Sequence, residues 1–151
     1  MGAGIAIKRP GIPTVKLKYR MDTWCSNNQA EAFAILKALE FIQTTQTNEE
    51  DNAVTVNTDS MTTVDSLINT DIHTFLTEEI RQTVHKLETR GWKIRFRWVK
   101  AHAGTSGNEL ADKLAKEASG KTDLPVSYNK VPKSVIKRDL QNTSVETWQR
   151  E

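Results

Sequence analysis

Cysteine is almost missing from this chain. Cys25 stands alone among 151 residues, which excludes a disulfide within the sequence and any zinc site built on several thiolates, and suits a reducing compartment. Long apolar runs are missing too. No stretch approaches the roughly 20 residues of a membrane-spanning helix, and the opening Met1-Gly2-Ala3-Gly4-Ile5 lacks a charged segment leading into a long apolar one. The expectation is a protein without membrane contact, cytoplasmic or nuclear. Neither sign of charge dominates: 21 Lys and Arg face 19 Asp and Glu, for a net +2. Total charge therefore does not announce a nucleic-acid binder, and only local clustering can make that case. Internal repeats and low-complexity tracts are absent, and 37% hydrophobic with 26% charged residues describes a globular chain rather than a disordered or fibrous one. Its length suits one domain with a real core.

What is present is organised around residues 92–118. Trp92, Ile94, Phe96 and Trp98 alternate with Lys93, Arg95 and Arg97, which predicts a strand with one buried and one basic face. Residues 100–107, with two glycines, a serine and a threonine, mark a loop carrying Lys100 and His102. From Asn108 the pattern turns helical, with Leu110, Leu114 and Ala118 spaced by four and Asp112 in the first turns. A loop histidine near a carboxylate suits proton transfer; the same pair equally describes a solvated surface.

The remaining elements follow in order. Residues 3–8 and 14–20 are apolar or alternating runs around Pro10-Gly11, a hairpin that opens already inside an apolar strand. Ser26-Asn27-Asn28 starts a helix over 28–43 with Ile35, Leu36, Leu39 and Ile42 as its stripe. Asn28 and Glu31 have the spacing of a capping box, yet Glu31 also lies at the end of the buried face, so a capping and a functional role both stand. Residues 53–58 read as a strand with Val54 and Val56 inward and Asp59 at its carboxyl end. There Asp59 either caps the next helix or stands where ligands gather in open α/β sheets. A helix over 74–89 has Phe75, Ile80, Val84 and Leu87 apolar, residues 120–130 read as a linker, and 132–150 as an amphipathic helix.

The asparagine pair before Glu31, the strand end Asn57-Thr58-Asp59-Ser60, and the block Trp98-Val99-Lys100-Ala101-His102-Ala103-Gly104 continuing through Asn108-Glu109 to Asp112 together resemble the ribonuclease H family. Residues 107–118 and the tail from Val131-Pro132 to Trp148-Gln149 look most like the ribonuclease H domains of insect-type non-LTR retrotransposons. The resemblance implies a three-layer α/β domain with a mixed central sheet over residues 1–119, followed by a linker and C-terminal helix over 120–151. It implies a catalytic set of Glu31, Asp59, Asp112 and His102, with the three carboxylates binding Mg²⁺ or Mn²⁺ and Glu109 as a helper. Phosphodiester hydrolysis must stabilise an attacking water and a departing alkoxide together, and two ions about 4 Å apart do both. The expected substrate is an RNA–DNA hybrid, whose wide minor groove presents 2′-hydroxyls. Asn27 and Asn28 would meet those groups, while Lys93, Arg95, Arg97 and Lys100 would hold phosphates or form a solvated face.

The sequence departs from the family in one respect. Met1 leads directly into what resembles the family's second strand, so the first strand and its aspartate are expected to be absent and the two-metal site incomplete. Rearranged strands, residues 124–129, or another chain or polyprotein segment would fill the gap. Two functions remain open on this reading: a metal-dependent endonuclease cutting RNA in hybrids once the missing carboxylate is supplied, and a catalytically silent binding or interaction domain descended from one. The chain alone is expected to be weak or inactive.

Overall fold

The alternation at the N-terminus folds as an antiparallel hairpin. In the computed structural model, which describes residues 1–45, 52–69, 74–100, 106–120 and 124–128, β1 (Gly2–Arg9) pairs with β2 (Ile12–Met21), with Ala3 opposite Tyr19 and Ile5 opposite Leu17. Helix α1 (Asn27–Thr44) follows, then β3 (Ala53–Thr58), α2 (Met61–Ile68), α3 (Phe75–Thr89), β4 (Lys93–Trp98), α4 (Ser106–Gly120) and a short β5 (Val126–Tyr128). β3 and β4 run parallel, Val54 beside Ile94 and Val56 beside Phe96. A parallel pair needs a long crossover, which α2 and α3 provide.

The alternation of β1 sorts the helices into two layers. Ala3 turns into the main core with Met21 of β2, Phe33, Leu36 and Leu39 of α1, and Leu76, Ile80 and Leu87 of α3. Gly2 and Gly4 face the other way and lie against the backbone carbonyls of Ala115 and Ala111 in α4. A Cβ at either glycine would collide with helix backbone, so these two positions set how closely α4 seats on the hairpin. The architecture is therefore α1 and α3 on one face, strands in the middle, and α4 on the other, the three-layer α/β fold expected. Leu39 and Leu87 are wholly buried, and each such side chain contributes on the order of 1.5–3 kcal/mol.

Several local expectations are corrected. The described strands lie in one mixed layer, hydrogen-bonded as two groups, β1-β2-β5 and β3-β4, as a mixed sheet without its first strand implies. Residues 124–128 do not fill a gap between them. β5 pairs in parallel with β2, on the edge of the hairpin away from β1, so the expected linker over 120–130 contains a strand. An aromatic stack holds it there: Phe33 lies 5.6 Å from Tyr19 and 5.4 Å from Tyr128, ring centre to ring centre. Buried Cys25 sits beneath, its thiol donating to the Tyr128 carbonyl at 3.6 Å, and burial pushes that thiol above its ordinary pKa. In α3 the apolar stripe begins at Leu76, while Phe75 is 53% exposed, because Thr74 caps the helix one residue ahead of Phe75 and turns that side chain outward. The expected helix over 132–150 lies outside the described residues.

Candidate active site

Helix capping decides what Glu31 is free to do. The cap of α1 is Ser26, whose hydroxyl accepts from Gln29 N at 3.1 Å while its own N–H donates to Gln29 Oε1 at 3.0 Å. The Ser26–Gln29 pair is thus the capping box, the expected Asn28–Glu31 one is not formed, and Glu31 points elsewhere. Half-buried, it accepts from the Thr58 hydroxyl at 3.4 Å, across from the end of β3. Burial, then the charges of Asp59 and Asp112, push its carboxyl up to about 7, against the opposing pull of the Thr58 hydrogen bond. Three acids from α1, the end of β3 and α4 therefore share one electrostatic neighbourhood.

Asp59 is likewise not the cap of its helix. Ser60 does that work, accepting from Thr63 N at 3.2 Å. Asp59 is instead held at both ends: Asn108 Nδ2 donates to Asp59 Oδ2 at 3.2 Å, and the Trp98 indole donates to its carbonyl at 3.1 Å. This explains why Trp98, expected on the buried side of β4, is 45% exposed. Its indole N–H is satisfied at the strand end rather than in the core. Asp112, on α4, borders the same cavity as Glu31. His102 lies outside the described residues; Glu109 is exposed in the first turn of α4.

The donor chemistry suits a hard cation, since Mg²⁺ prefers carboxylate oxygens and keeps several waters. Among the described residues, however, no three His, Cys, Asp or Glu side chains converge as a ligand set. Glu31, Asp59 and Asp112 are close enough to feel one another's charge without closing on a common point.

The expected binding residues lie on two surfaces near these acids. Asn27 and Asn28 are exposed in the first turn of α1, four and three residues before Glu31, and so on its side of the helix. Lys93, Arg95, Arg97 and Lys100 are all exposed. Across the parallel ladder the first three stand beside Ala53, Thr55 and Asn57 of β3, also exposed. The ladder continues past the strand ends, with Val99 N donating to Thr58 O at 2.9 Å, so Lys100 emerges at the Asp59 end.

A cavity of about 360 Å³ runs from the acids along the sheet layer. It is bordered by every residue of β1 and of β3, by the inward face of α1 and by the start of α4.

The family profile described as RNase H matches residues 1–120. The chain belongs to the RNase H family. Among curated relatives it is similar to Ribonuclease H of Maricaulis maris, 30% identical over 61% of this chain and 66% of that protein's length. It is also similar to Ribonuclease H of Vibrio cholerae serotype O1, 26% identical over 87% of this chain and 86% of the relative. A short segment is 50% identical to Ribonuclease H of Dichelobacter nodosus, over 26% of each chain. Within this RNase H domain, sequence reasoning missed Thr58, Asn108 and Trp98 as the groups that hold the acids. Asn108 carried a usable signal, a side-chain donor at a helix start facing the loop after a strand. For Thr58 none existed, because its role depends on a helix 27 positions away.

Proposed function

We propose that this RNase H domain is a nuclease that cuts the RNA strand of RNA–DNA hybrids with divalent metal ions, and that it derives from a retroelement polyprotein. The observation that carries the proposal is the nearness of Glu31, Asp59 and Asp112 from three separate elements, with the Glu31 carboxyl pushed up to about 7 by burial first and then by the charges of the other two. Folds do not gather half-buried like charges for stability, and such groups concentrate at functional sites. The retroelement origin rests on the resemblance of residues 107–118 and of the tail.

In this reading Glu31, Asp59 and Asp112 hold Mg²⁺ or Mn²⁺, which when bound would activate water and stabilise the departing oxygen. Asn108 and the Trp98 indole fix Asp59 so that little reorganisation accompanies reaction. Asn27 and Asn28 meet 2′-hydroxyls beside Glu31, the row from Lys93 to Lys100 takes phosphates, and His102 moves protons. Because the acids do not converge as they stand, a further carboxylate entering the cavity is needed for full activity. The same observation favours a second reading, a silent hybrid-binding domain.

Cleavage assays separate the two. The chain alone with Mg²⁺ is expected to cut a hybrid at least about 10²–10³-fold more slowly than a form with an Asp-bearing strand fused ahead of Gly2, the usual cost of losing one preorganised group. Asp59→Asn in the fused form should abolish cutting. No cleavage by the fused form, with hybrid binding retained, would leave the silent domain.

A further inference from the structure

β1 and α4 approach each other more closely than side chains would allow. A Cβ at Gly2 would meet the backbone of Ala115 and Ser119, and one at Gly4 that of Ala111 and Ala115. Further along the strand, Lys8 lies beside Gly107. Two residues of strand rise about 6.6 Å and four residues of helix about 6 Å. The helix therefore tracks β1 in the opposite direction with nearly matched steps. The two ends of that contact differ in what they carry. Ala115 to Ser119 lead away from the acids. Ala111 stands between Asn108, which donates to Asp59 Oδ2 at 3.2 Å, and Asp112, close enough for its charge to act on Glu31.

We infer that Gly4 is a positioning residue of the acid site: lacking a side chain, it lets the first turns of α4 sit on β1, and this seat holds Asn108 on Asp59 and Asp112 beside Glu31. Gly2 seats the same helix without placing the acids. Distances decide which member of the site depends on the seat most. At Gly4 an added Cβ would stand 2.5 Å from Ala115 N and 2.8 Å from Leu114 Cβ, where ordinary contact is 3.4–4 Å. Backbone cannot rotate aside as a side chain can, so the helix itself would retreat by roughly 1 Å. The Asn108–Asp59 bond, at 3.2 Å, is already at the long end of its class. A retreat of that size breaks it. The influence of Asp112 on Glu31 falls only as the inverse of distance and survives. Asp59 is thus the group whose placement depends most on Gly4.

That the seat serves a metal site rests on the nuclease reading; the seat itself does not.

The test compares Gly4→Ala with Gly2→Ala in the 151-residue chain, following the Asn108 side-chain amide by isotope-edited NMR. Both substitutions should lower the melting temperature, since both meet helix backbone. Only Gly4→Ala should move the Asn108 amide protons to the shifts of a solvated asparagine. Retention of the bond in Gly4→Ala, or its loss in both variants alike, would overturn the positioning role. Asn108→Ala gives a second arm that does not depend on Gly4→Ala folding. Amide exchange in α4 should stay as slow there as in the unsubstituted chain, because packing rather than the hydrogen bond seats the helix. Exchange faster by about tenfold or more would reverse that order of cause and sink the proposal. With Mn²⁺ as the probe, Gly4→Ala should bind about 10–100-fold more weakly, as when the group orienting a ligand is removed, and Gly2→Ala much as the unsubstituted chain does. Loss of the Asn108 bond in Gly4→Ala alone, with no Mn²⁺ bound by any form, would sustain the seat and remove the metal reading.

Discussion

Glu31 works against the stability of its own fold. Its carboxyl ordinarily ionises near 4.5 and in the folded chain near 7, so between those pH values the folded chain holds a proton that the unfolded chain has released. Stability from this group is then present below about pH 4.5 and falls as pH rises toward 7, by a total on the order of 3 kcal/mol. Glu31→Gln should therefore raise the melting temperature at pH 8, change it little at pH 4, and flatten the profile between. A melting temperature at pH 8 that falls in Glu31→Gln would mean that the carboxylate is stabilised by its surroundings. Under the nuclease reading, Mg²⁺ should also raise the melting temperature of the unsubstituted chain at pH 8, and should do so less in Glu31→Gln. At this scale the sequence was half legible. That Glu31, Asp59 and Asp112 belong in one neighbourhood could be read from their places beside motifs. Whether Glu31 and Asp59 were caps could not, because Ser26 and Ser60 compete for the same orphan amides and only three-dimensional placement decides between neighbours one to three residues apart.

The elements were the most legible level. Period-two alternation is a local property, and it placed β1, β2, β3 and β4 to within a few residues. The failures came where an element's end meets something distant. Trp98 continues the alternation of β4, yet leaves the core for the Asp59 carbonyl. β5 owes its place to the aromatic stack on Phe33 rather than to its own three residues. α2 is similar: Arg81 of α3 donates to the Ser66 and Asn69 carbonyls at 2.8 and 2.7 Å, closing the C-terminus of a helix that has no basic residue in its last turn. The prediction at this scale concerns the exposed face of β4. Arg95→Ala should weaken hybrid binding equally for all sequences and reduce the dependence of log K on log salt by about one unit, as one phosphate contact is lost. An unchanged slope would make that face a solvated one. Asn28→Ala should instead lessen discrimination between RNA and DNA strands, because only RNA presents the 2′-hydroxyl.

In the whole molecule, α1 is what the two sheets have in common. Its buried residues reach Ala3 and Met21 on one side and Leu76, Ile80 and Leu87 on the other, with Val54, Val56, Ile94 and Phe96 against the same cluster. Leu39→Ala, at a fully buried position in the middle of that helix, should cost about 2–5 kcal/mol in chemical denaturation; a loss under about 1 kcal/mol would place the helix outside the common core. Side chains are thus shared between the halves while ladder bonds are not, and this bears on how the molecule comes apart. Cooperative unfolding requires that neither half survive alone. The hairpin half carries Trp24, and the parallel half carries Trp92 and Trp98. With Trp148 replaced, single-tryptophan variants should report one unfolding midpoint, since α1 fills the core of both halves; two midpoints would make the halves separate cooperative units. In this chain, then, one helix carries the cooperativity that a continuous ladder would otherwise share.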